Sequence, residues 1–325
     1  MSLNRRDLLL ATAGLAVATR PWTQAAFPSK PIQWIVPYAA GGGTDIVART
    51  VAEQMGAALG QTIVVDNKPG ANTAIGASAL ARSPADGYTV GSADNATLAL
   101  NQHLFNRLTY TPEKDFAFVG GLARFPYALL VHPDQPFRTF KELVQAGKSK
   151  PGSLSYGSPG LGGPNHVAME LLQQRTGATF VHVPYRGAAP GLQDLISGQI
   201  QFMLVDTASS MQFIKAGRVR ALAVSMPERL AALPDVPTVH EAGLPNFEAY
   251  SWQGMIVPTG TPAPVIQRLS QELMKAVNSV SVGKRLAEIG VEPAPSSSEE
   301  FAKHVKDQAA LWGDVIRSAN IRLES

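Results

Sequence analysis

Residues 32–45 read Ile-Gln-Trp-Ile-Val-Pro-Tyr-Ala-Ala-Gly-Gly-Gly-Thr-Asp, a mostly apolar run followed by a loop with three consecutive glycines. The apolar run predicts a short buried strand over 32–36. Beyond Asp45 the apolar residues recur near the helical period of 3.6, which predicts a helix. Glycines let a backbone approach a ligand closely, and a helix N-terminus offers free N–H groups and partial positive charge. The stretch therefore predicts a strand–loop–helix unit with an anion site in its loop.

The same alternation of strands and helices continues along the chain. Further strands are predicted at 62–65, 88–91, 128–131, 154–156, 180–183, 200–205, 219–224 and 252–257. Further helices are predicted at 74–81, 140–146, 166–174, 192–197, 264–277 and 298–318. This pattern indicates an α/β fold with mainly parallel sheets, in which ligands bind at the carboxyl ends of the strands.

A second glycine-rich loop, residues 157–164, has the same design as the first. It follows a predicted strand, offers the hydroxyl of Ser158, and precedes a helix near His166. The first loop does not match a dinucleotide fingerprint, because Ile46 stands where it would need its third glycine. Two alternatives stay open: Thr44 or Asp45 caps the first helix, and the second loop is only a connection.

Catalytic and metal-binding patterns are weak in this sequence. Ser158 is not part of a G-x-S-x-G motif, and the spacing of Ser158, His166 and Asp206 gives no support for a triad. There is no cysteine and no H-x-x-x-H pair, so neither a metal nor a cofactor is expected. His166 is expected to brace its loop, and His182, in an apolar strand, to be a core histidine.

The first 25 residues predict an export signal. Arg5 and Arg6 precede an uncharged, mostly apolar run over 8–18, and small residues stand before a cleavage point after Ala25. The arginine pair is typical of twin-arginine signals, which predicts export to the periplasm. An ordinary secretory signal and a short membrane anchor are the alternatives.

The basic charge of the chain belongs mostly to this segment. The formal net charge is +3, and the signal carries three arginines against one aspartate, which leaves +1 for the remainder. Without a Lys/Arg-rich run, a nucleic-acid partner is not expected. The length of 325 residues suggests about two domains.

Several short motifs then carry a family resemblance, in order along nearly the whole chain after the signal. They are 27–32, 36–45, 65–71, 84–89, 182–187, 233–238 and 241–245. With them the chain resembles the Bug-type receptors, which are periplasmic solute-binding proteins of tripartite tricarboxylate transporters.

The resemblance implies a two-lobe periplasmic binding protein, type II-like, that closes on a ligand as a Venus flytrap does. Residues 26–124 would form the first lobe, 125–224 the second lobe, and 225–325 the return to the first lobe with the C-terminal helices. A ligand between the lobes would shift the open–closed equilibrium by its differential affinity.

The resemblance also implies how the ligand is held, namely by loop backbone groups, small hydroxyls and bridging waters around a carboxylate. The implied contacts are Tyr38, Gly41, Gly42 and Asn95 in the first lobe and Ser158, Gly162, His166, Tyr185 and Asp206 in the second. Alternatively, Tyr185 packs against the adjacent helix and Asp206 caps the next one. Residues 162–165 lack the Ser or Thr often found just before the histidine, so one hydroxyl contact is expected to be missing.

The expected function is capture of a small carboxylate ligand, such as a di- or tricarboxylate, an aromatic acid or an amino acid. The partners would be the membrane subunits of the transporter, with a monomer as the default oligomeric state. Two alternatives from other classes are a ligand sensor for a membrane kinase and an exported α/β hydrolase that uses Ser158.

Overall fold

A computed structural model describes residues 27–323, so the predicted export signal at residues 1–25 lies outside the described residues. The strands are β1 (Ile32–Val36), β2 (Ile63–Asn67), β3 (Thr89–Asp94), β4 (Phe116–Val131), β5 (Ser155–Ser158), β6 (Val181–Pro184), β7 (Phe202–Asp206), β8 (Arg220–Val224), β9 (Tyr250–Pro258) and β10 (Glu292–Ser296). The helices are α1 (Gly43–Leu59), α2 (Ala74–Ala81), α3 (Asn101–Leu104), α4 (Pro112–Asp115), α5 (Phe140–Ser149), α6 (Pro164–Thr176), α7 (Ala188–Ile196), α8 (Thr207–Lys215), α9 (Ala263–Val277), α10 (Val280–Glu288) and α11 (Ser298–Ser318). A π-helical turn, Ala96–Leu100, precedes α3. Within residues 27–323, no helix has the length and apolarity needed to cross a membrane.

The strands run in the order β2-β1-β3-β9-β4-β7-β5-β6, and β8 and β10 also pair with β4. This α/β arrangement confirms the predicted fold class. The sheets are mixed rather than mainly parallel: β1 pairs in parallel with β2 and β3, and β5 with β6 and β7, whereas every pairing of β4 and β9 is antiparallel. Extended strands rather than crossover helices join the two halves of the molecule, and this is why antiparallel pairs occur there.

Strand β4 belongs to both halves. Its residues 116–126 pair with β9, and its residues 127–131 pair with β7 and β8. The chain thus passes from one half to the other between Pro126 and Tyr127, and β9 rejoins the first half at Tyr250, opposite Pro126. The lobe boundaries inferred from the sequence stay predictions, but these pairings place the crossing between the halves at one point of the sheet.

Buried side chains cover the sheet on both faces. In the first half, α1 and α9 pack on one face through residues such as Val47, Met55 and Leu273, around the fully buried Trp34. Helix α11 lies on the opposite face and also contacts α6. In the second half, a separate apolar cluster joins α7 and α8 to β7 and β8.

Candidate functional site

The loops at the carboxyl ends of the parallel strands meet at the crossing point. The last residue of β3, Asp94, lies opposite Gln253 of β9, and the last residue of β7, Asp206, lies opposite Tyr127 of β4. Because β1 runs parallel to β3, and β5 and β6 run parallel to β7, the strands within each half share one direction. The two sets are antiparallel to each other through β9 and β4, so their carboxyl ends face each other at the crossing. The two predicted glycine-rich loops therefore stand on opposite sides of one cleft.

A cavity of about 250 Å³ lies in this cleft, between the N-terminus of α1 and helices α7 and α8. Its lining carries no ionisable side chain; it consists of Gly41, Gly42, Gly43, Ile46, Ala189, Leu192, Gln193, Ala208, Ser209, Gln212, Phe213 and Ile289. A Cβ placed at Gly43 would lie 3.5 Å from the Cβ of Ala208, so α1 and α8 approach closely. A larger, more open depression of about 470 Å³ lies at the far end of α1, away from the strand carboxyl ends.

Asp45 shapes the first loop. One carboxylate oxygen accepts hydrogen bonds from the Gly41 N–H (2.8 Å) and Arg49 Nε (2.9 Å), and the other accepts from Asn67 Nδ2 (2.9 Å). Burial alone would raise the pKa of Asp45, but the hydrogen bonds from Arg49, Gly41 and Asn67 outweigh it and hold the pKa below its usual range. The carboxylate thus folds the loop back on the helix.

The N-cap of α1 is Gly42, so the alternative that Thr44 or Asp45 caps this helix is wrong. Gly42 has no side chain to accept from the first-turn N–H groups, and Asp45 is already engaged by Gly41, Arg49 and Asn67. The helix N-terminus at the cavity therefore lacks a side-chain cap, and Arg49 pairs with the Asp45 carboxylate of its first turn. Its first N–H groups can then serve an anion.

Tyr38, which is half-buried, and Asp94, which is buried, form a pair beside this loop. The Tyr38 hydroxyl donates to Asp94 Oδ2, and Thr97 donates to Oδ1 from its backbone N–H (3.0 Å) and its hydroxyl (2.9 Å). Burial raises the pKa of both Tyr38 and Asp94. The Tyr38 hydroxyl is thus committed to Asp94. Sequence reasoning did not select Asp94, although a carboxylate at the end of a buried strand was a signal.

Asn95, predicted as a ligand contact, uses both atoms of its side-chain amide in hydrogen bonds to the backbone of β9. Its Nδ2 donates to the Tyr250 carbonyl (3.1 Å) and its Oδ1 accepts from the Trp252 N–H (2.8 Å). The side chain is 1% exposed. In this structure the amide joins the end of β3 to the strand that returns from the second half.

Asn95→Ala is expected to lower the free energy of unfolding by about 2 kcal/mol, because it leaves a buried N–H and a buried carbonyl without partners. Urea unfolding followed by circular dichroism measures the loss. Asn278→Ala is the matched control: Asn278 is exposed and bonds only within its own helix end, so we expect a change of about 0.5 kcal/mol or less. Equal losses for the two variants would contradict a clamping role for Asn95.

The second loop brings three predicted residues together. Ser158 is fully buried, and its Oγ lies 3.0 Å from the Gly160 carbonyl and 2.7 Å from His182 Nε2. Gly162, with a φ of +70°, donates its N–H to His166 Nδ1 (3.0 Å). His166 therefore does brace its loop. His182, expected to be only a core histidine, contacts Ser158 directly, which no local sequence pattern indicated.

The rings of His166 and His182 stack on each other. Their centroids are 3.9 Å apart with an interplanar angle of 9°, and Tyr156 stacks on the far side of His182. Burial lowers the pKa of His166 to about 3, helped by the neighbouring His182, and burial lowers the pKa of His182 to about 4. Both rings are therefore neutral at neutral pH.

Neither stacked ring is expected to gain a proton as the pH falls from 8 to about 5, and long-range ¹H–¹⁵N NMR of the imidazoles measures this. The unfolded chain binds these protons near pH 6.5, whereas the folded chain does not. The pair's contribution to stability is therefore fully present above about pH 6.5 and is lost as the pH falls toward the folded pKa values. Titration of either ring near pH 6.5 would contradict the stacked, buried arrangement.

Tyr185 contacts the adjacent helix and Asp206 caps the next one, as the two alternative predictions had it. The Tyr185 hydroxyl donates to Asp194 Oδ2 (2.7 Å) on α7, and burial together with this bond raises the pKa of Tyr185 to about 12. Asp206 is the N-cap of α8, accepting from the Ser209 N–H (2.8 Å), and burial raises its pKa. Their roles toward a ligand stay predictions.

The two halves also touch on both flanks of the cleft. On one flank, the Thr207 hydroxyl of α8 donates to the Gly290 carbonyl (2.6 Å) next to α10. On the other flank, a Cβ at Gly162 would lie 3.0 Å from Leu323 Cδ1, and the Leu323 N–H donates to the Leu104 carbonyl (3.0 Å). The second loop thus rests against the C-terminal segment and α3.

Comparisons with known proteins agree with this geometry. Residues 47–321 match the family model described as the tripartite tricarboxylate transporter family receptor. Protein BugT of Bordetella pertussis is 32% identical over 318 residues, which covers 98% of this chain and 97% of BugT.

Solved structures give the same result. The R. palustris protein Rpa4515 with adipate superposes with a TM-score of 0.84 at 33% identity, covering 92% of this chain and all of that one. MatC from Rhodopseudomonas palustris with bound malate superposes with a TM-score of 0.79 at 31% identity, covering 89% of this chain and all of that one. The resemblance to Bug-type receptors is therefore confirmed, and the chain belongs to the tripartite tricarboxylate transporter receptor family.

Proposed function

We propose that this chain is a periplasmic receptor that captures a small carboxylate-containing solute in the cleft between its two halves and presents it to the membrane subunits of a tripartite tricarboxylate-type transporter. The observation that carries the proposal is the N-terminus of α1, without a side-chain cap at Gly42, on a cavity whose opposite wall is α7 and α8. The relatives bound to adipate and malate support a carboxylate as the ligand class.

The lining of the cavity explains how an anion is held without a basic side chain. None of its residues is Lys or Arg, so the attraction comes from backbone N–H groups and the partial charge of a 17-residue helix. Helix α6, which begins after the second loop, also has a glycine N-cap without a side-chain bond. A micromolar dissociation constant needs only about 8 kcal/mol of net binding free energy, which several charge-assisted hydrogen bonds supply.

Gly41 and Gly42 are the proposed contacts that line the cavity itself, and of these two the Gly41 N–H already donates to Asp45. The others, Tyr38, Asn95, Ser158, Gly162, His166, Tyr185 and Asp206, have side-chain or backbone groups engaged within the protein. We infer that most of them act on the ligand by fixing loop shape, and that the direct donors are backbone N–H groups.

Isothermal titration calorimetry of the chain without residues 1–25 tests the proposal. Adipate, malate, an aromatic acid and an amino acid are titrated separately, and the mixtures are then analysed for products. We expect micromolar binding of at least one carboxylate with no chemical change. Conversion of a ligand, or no binding across the panel, would contradict a receptor function.

One contact favours a second candidate, an exported hydrolase. Ser158 Oγ lies 2.7 Å from His182 Nε2, which is the distance between a nucleophile and its base. However, Ser158 is fully buried and its Oγ also bonds the backbone of Gly160. A panel of esters, with Ser158→Ala as the control, tests this candidate. Ester turnover by the wild type that Ser158→Ala abolishes would establish a hydrolase, and no turnover by the wild type would exclude it.

A further inference from the structure

We propose that His182 is a positioning residue for ligand binding: together with the stacked His166, it holds the second loop (residues 157–164) in the shape that aims backbone N–H groups at the ligand. This inference rests on the proposed function. It gives a role to a side chain that the ligand does not need to touch.

The hydrogen bonds of Ser158 define the first attachment point. The Gly160 N–H donates to Ser158 Oγ (3.3 Å), and the Gly160 carbonyl lies 3.0 Å from the same oxygen. A hydroxyl has one proton, and if Ser158 gives it to the Gly160 carbonyl, the 2.7 Å contact requires His182 to donate from Nε2. In this arrangement every donor has an acceptor, and His182 closes the turn from 158 to 160.

His166 supplies the second attachment point. Its Nδ1 accepts from the Gly162 N–H at 3.0 Å, so the proton of the neutral ring is on Nε2. That atom faces Glu170 Oε1, 3.6 Å away. Gly162 has a left-handed backbone that a side chain would strain, and this bond holds it in that conformation. The two histidines therefore anchor the middle and the end of the loop.

Stacking couples the His166 and His182 rings to each other. With the centroids 3.9 Å apart and the rings nearly parallel, a displacement of His182 moves His166 as well. Tyr156 closes the other side of His182, and its hydroxyl donates to Glu170 (3.0 Å), which is also the carboxylate next to His166. The titratable groups that face the pair are thus Glu170 and Tyr156.

The consequence for binding follows from where the loop ends. Residue 163 is the N-cap of α6, without a side-chain cap, so the first-turn N–H groups of α6 point wherever the loop sets the helix start. A loop that loses its anchors no longer holds these groups in one position. Ligand affinity should then fall without loss of the fold.

The test compares His182→Phe, which keeps a ring in the stack, with His182→Gln, which restores a side-chain amide N–H at similar reach. The two readouts are amide hydrogen exchange of the 157–164 segment and the dissociation constants for adipate and malate. For His182→Phe we expect exchange at Gly160 and Gly162 to be about tenfold faster and binding about tenfold weaker. His182→Gln should stay within about threefold of the wild type, and exposed His240→Phe is the control.

A double variant, Ser158→Ala with His182→Phe, adds a coupling test. Because both single changes break the same contact, we expect the double variant to lose no more than either single variant. Wild-type behaviour of His182→Phe in both readouts, or equal losses for His182→Phe and His182→Gln, would overturn the proposal. If His182→Phe does not fold, Ser158→Ala is the variant to measure. Amide exchange at Gly160 that is unchanged in Ser158→Ala would also overturn the proposal.

The two proposals fail in different measurements. If no carboxylate binds the wild-type protein, the proposed function fails. The exchange data then still decide whether His182 holds the second loop.

Discussion

Gly42→Asp is expected to weaken carboxylate binding by more than about a hundredfold while leaving the protein as stable as the wild type, because a like charge opposite a bound anion costs several kcal/mol. The backbone at Gly42 has φ −78° and ψ 167°, which any residue adopts, and a Cβ there meets only the Ala39 carbonyl, at 3.7 Å. Aspartate is a preferred N-cap, so its carboxylate would accept from the α1 N–H groups that the ligand needs.

Calorimetric titration and urea unfolding of the same preparation check this result. Gly42→Asn is the matched control, since it has the same shape and capping ability without the charge, and we expect it to weaken binding by about tenfold. Unfolding free energies should agree with the wild type within about 1 kcal/mol for both variants. Wild-type affinity in Gly42→Asp would place the ligand away from the N-terminus of α1.

Phe301→Ala is expected to destabilise the protein by about 3–5 kcal/mol, the usual cost of removing a buried phenylalanine side chain. Phe301 begins the buried face of α11 and is 3% exposed, with its ring edge-on to Phe118 (5.7 Å) and Trp252 (5.6 Å). It also covers Gly254 of β9, where a Cβ would lie only 2.1 Å from the ring. Gly254 has no side chain that could fill the space that alanine leaves.

Urea unfolding measures the loss, and Leu311→Ala on the same helix is the control because Leu311 is 43% exposed. We expect the control to lose about 1 kcal/mol or less. A loss below about 1 kcal/mol for Phe301→Ala would mean that the core relaxes to fill the cavity and that the packing of α11 on β9 contributes little to stability.

The agreement between sequence and structure is closest where the signal is local. The predicted helices over 264–277 and 298–318 correspond to Ala263–Val277 and Ser298–Ser318. The second of these begins with a capping box between Ser297 and Glu300, and both helices carry a regular apolar stripe. Such signals lie within a few residues and do not depend on the rest of the chain.

Longer elements without regular alternation were missed. Only 128–131 of the 16-residue β4 was predicted, because its first part includes Gly120, Gly121 and Pro126, which do not resemble a strand. Strand β10 was not predicted at all, since its sequence Glu-Pro-Ala-Pro-Ser has two prolines; it pairs only at the sheet margin with β4.

In the candidate site too, features set by local sequence were predicted and contacts between distant residues were not. The two glycine-rich loops and their helix starts followed from residue type, because glycine and a helix N-terminus have their properties wherever they stand. The hydrogen bonds from Tyr38 to Asp94, from Asn95 to β9 and between Ser158 and His182 could not be predicted from residue type. In each of them the partner comes from a different part of the chain.

The sequence by itself determined the α/β class, most of the helices, the two glycine-rich loops and, through its motifs, the family. Only the tertiary structure decided that Gly42 rather than Asp45 caps α1, that Asn95 joins two strands, and that two histidines anchor the second loop. The physical reason is range: backbone conformation and periodicity act over a few residues, whereas a buried hydrogen bond depends on the register of strands up to 157 residues apart.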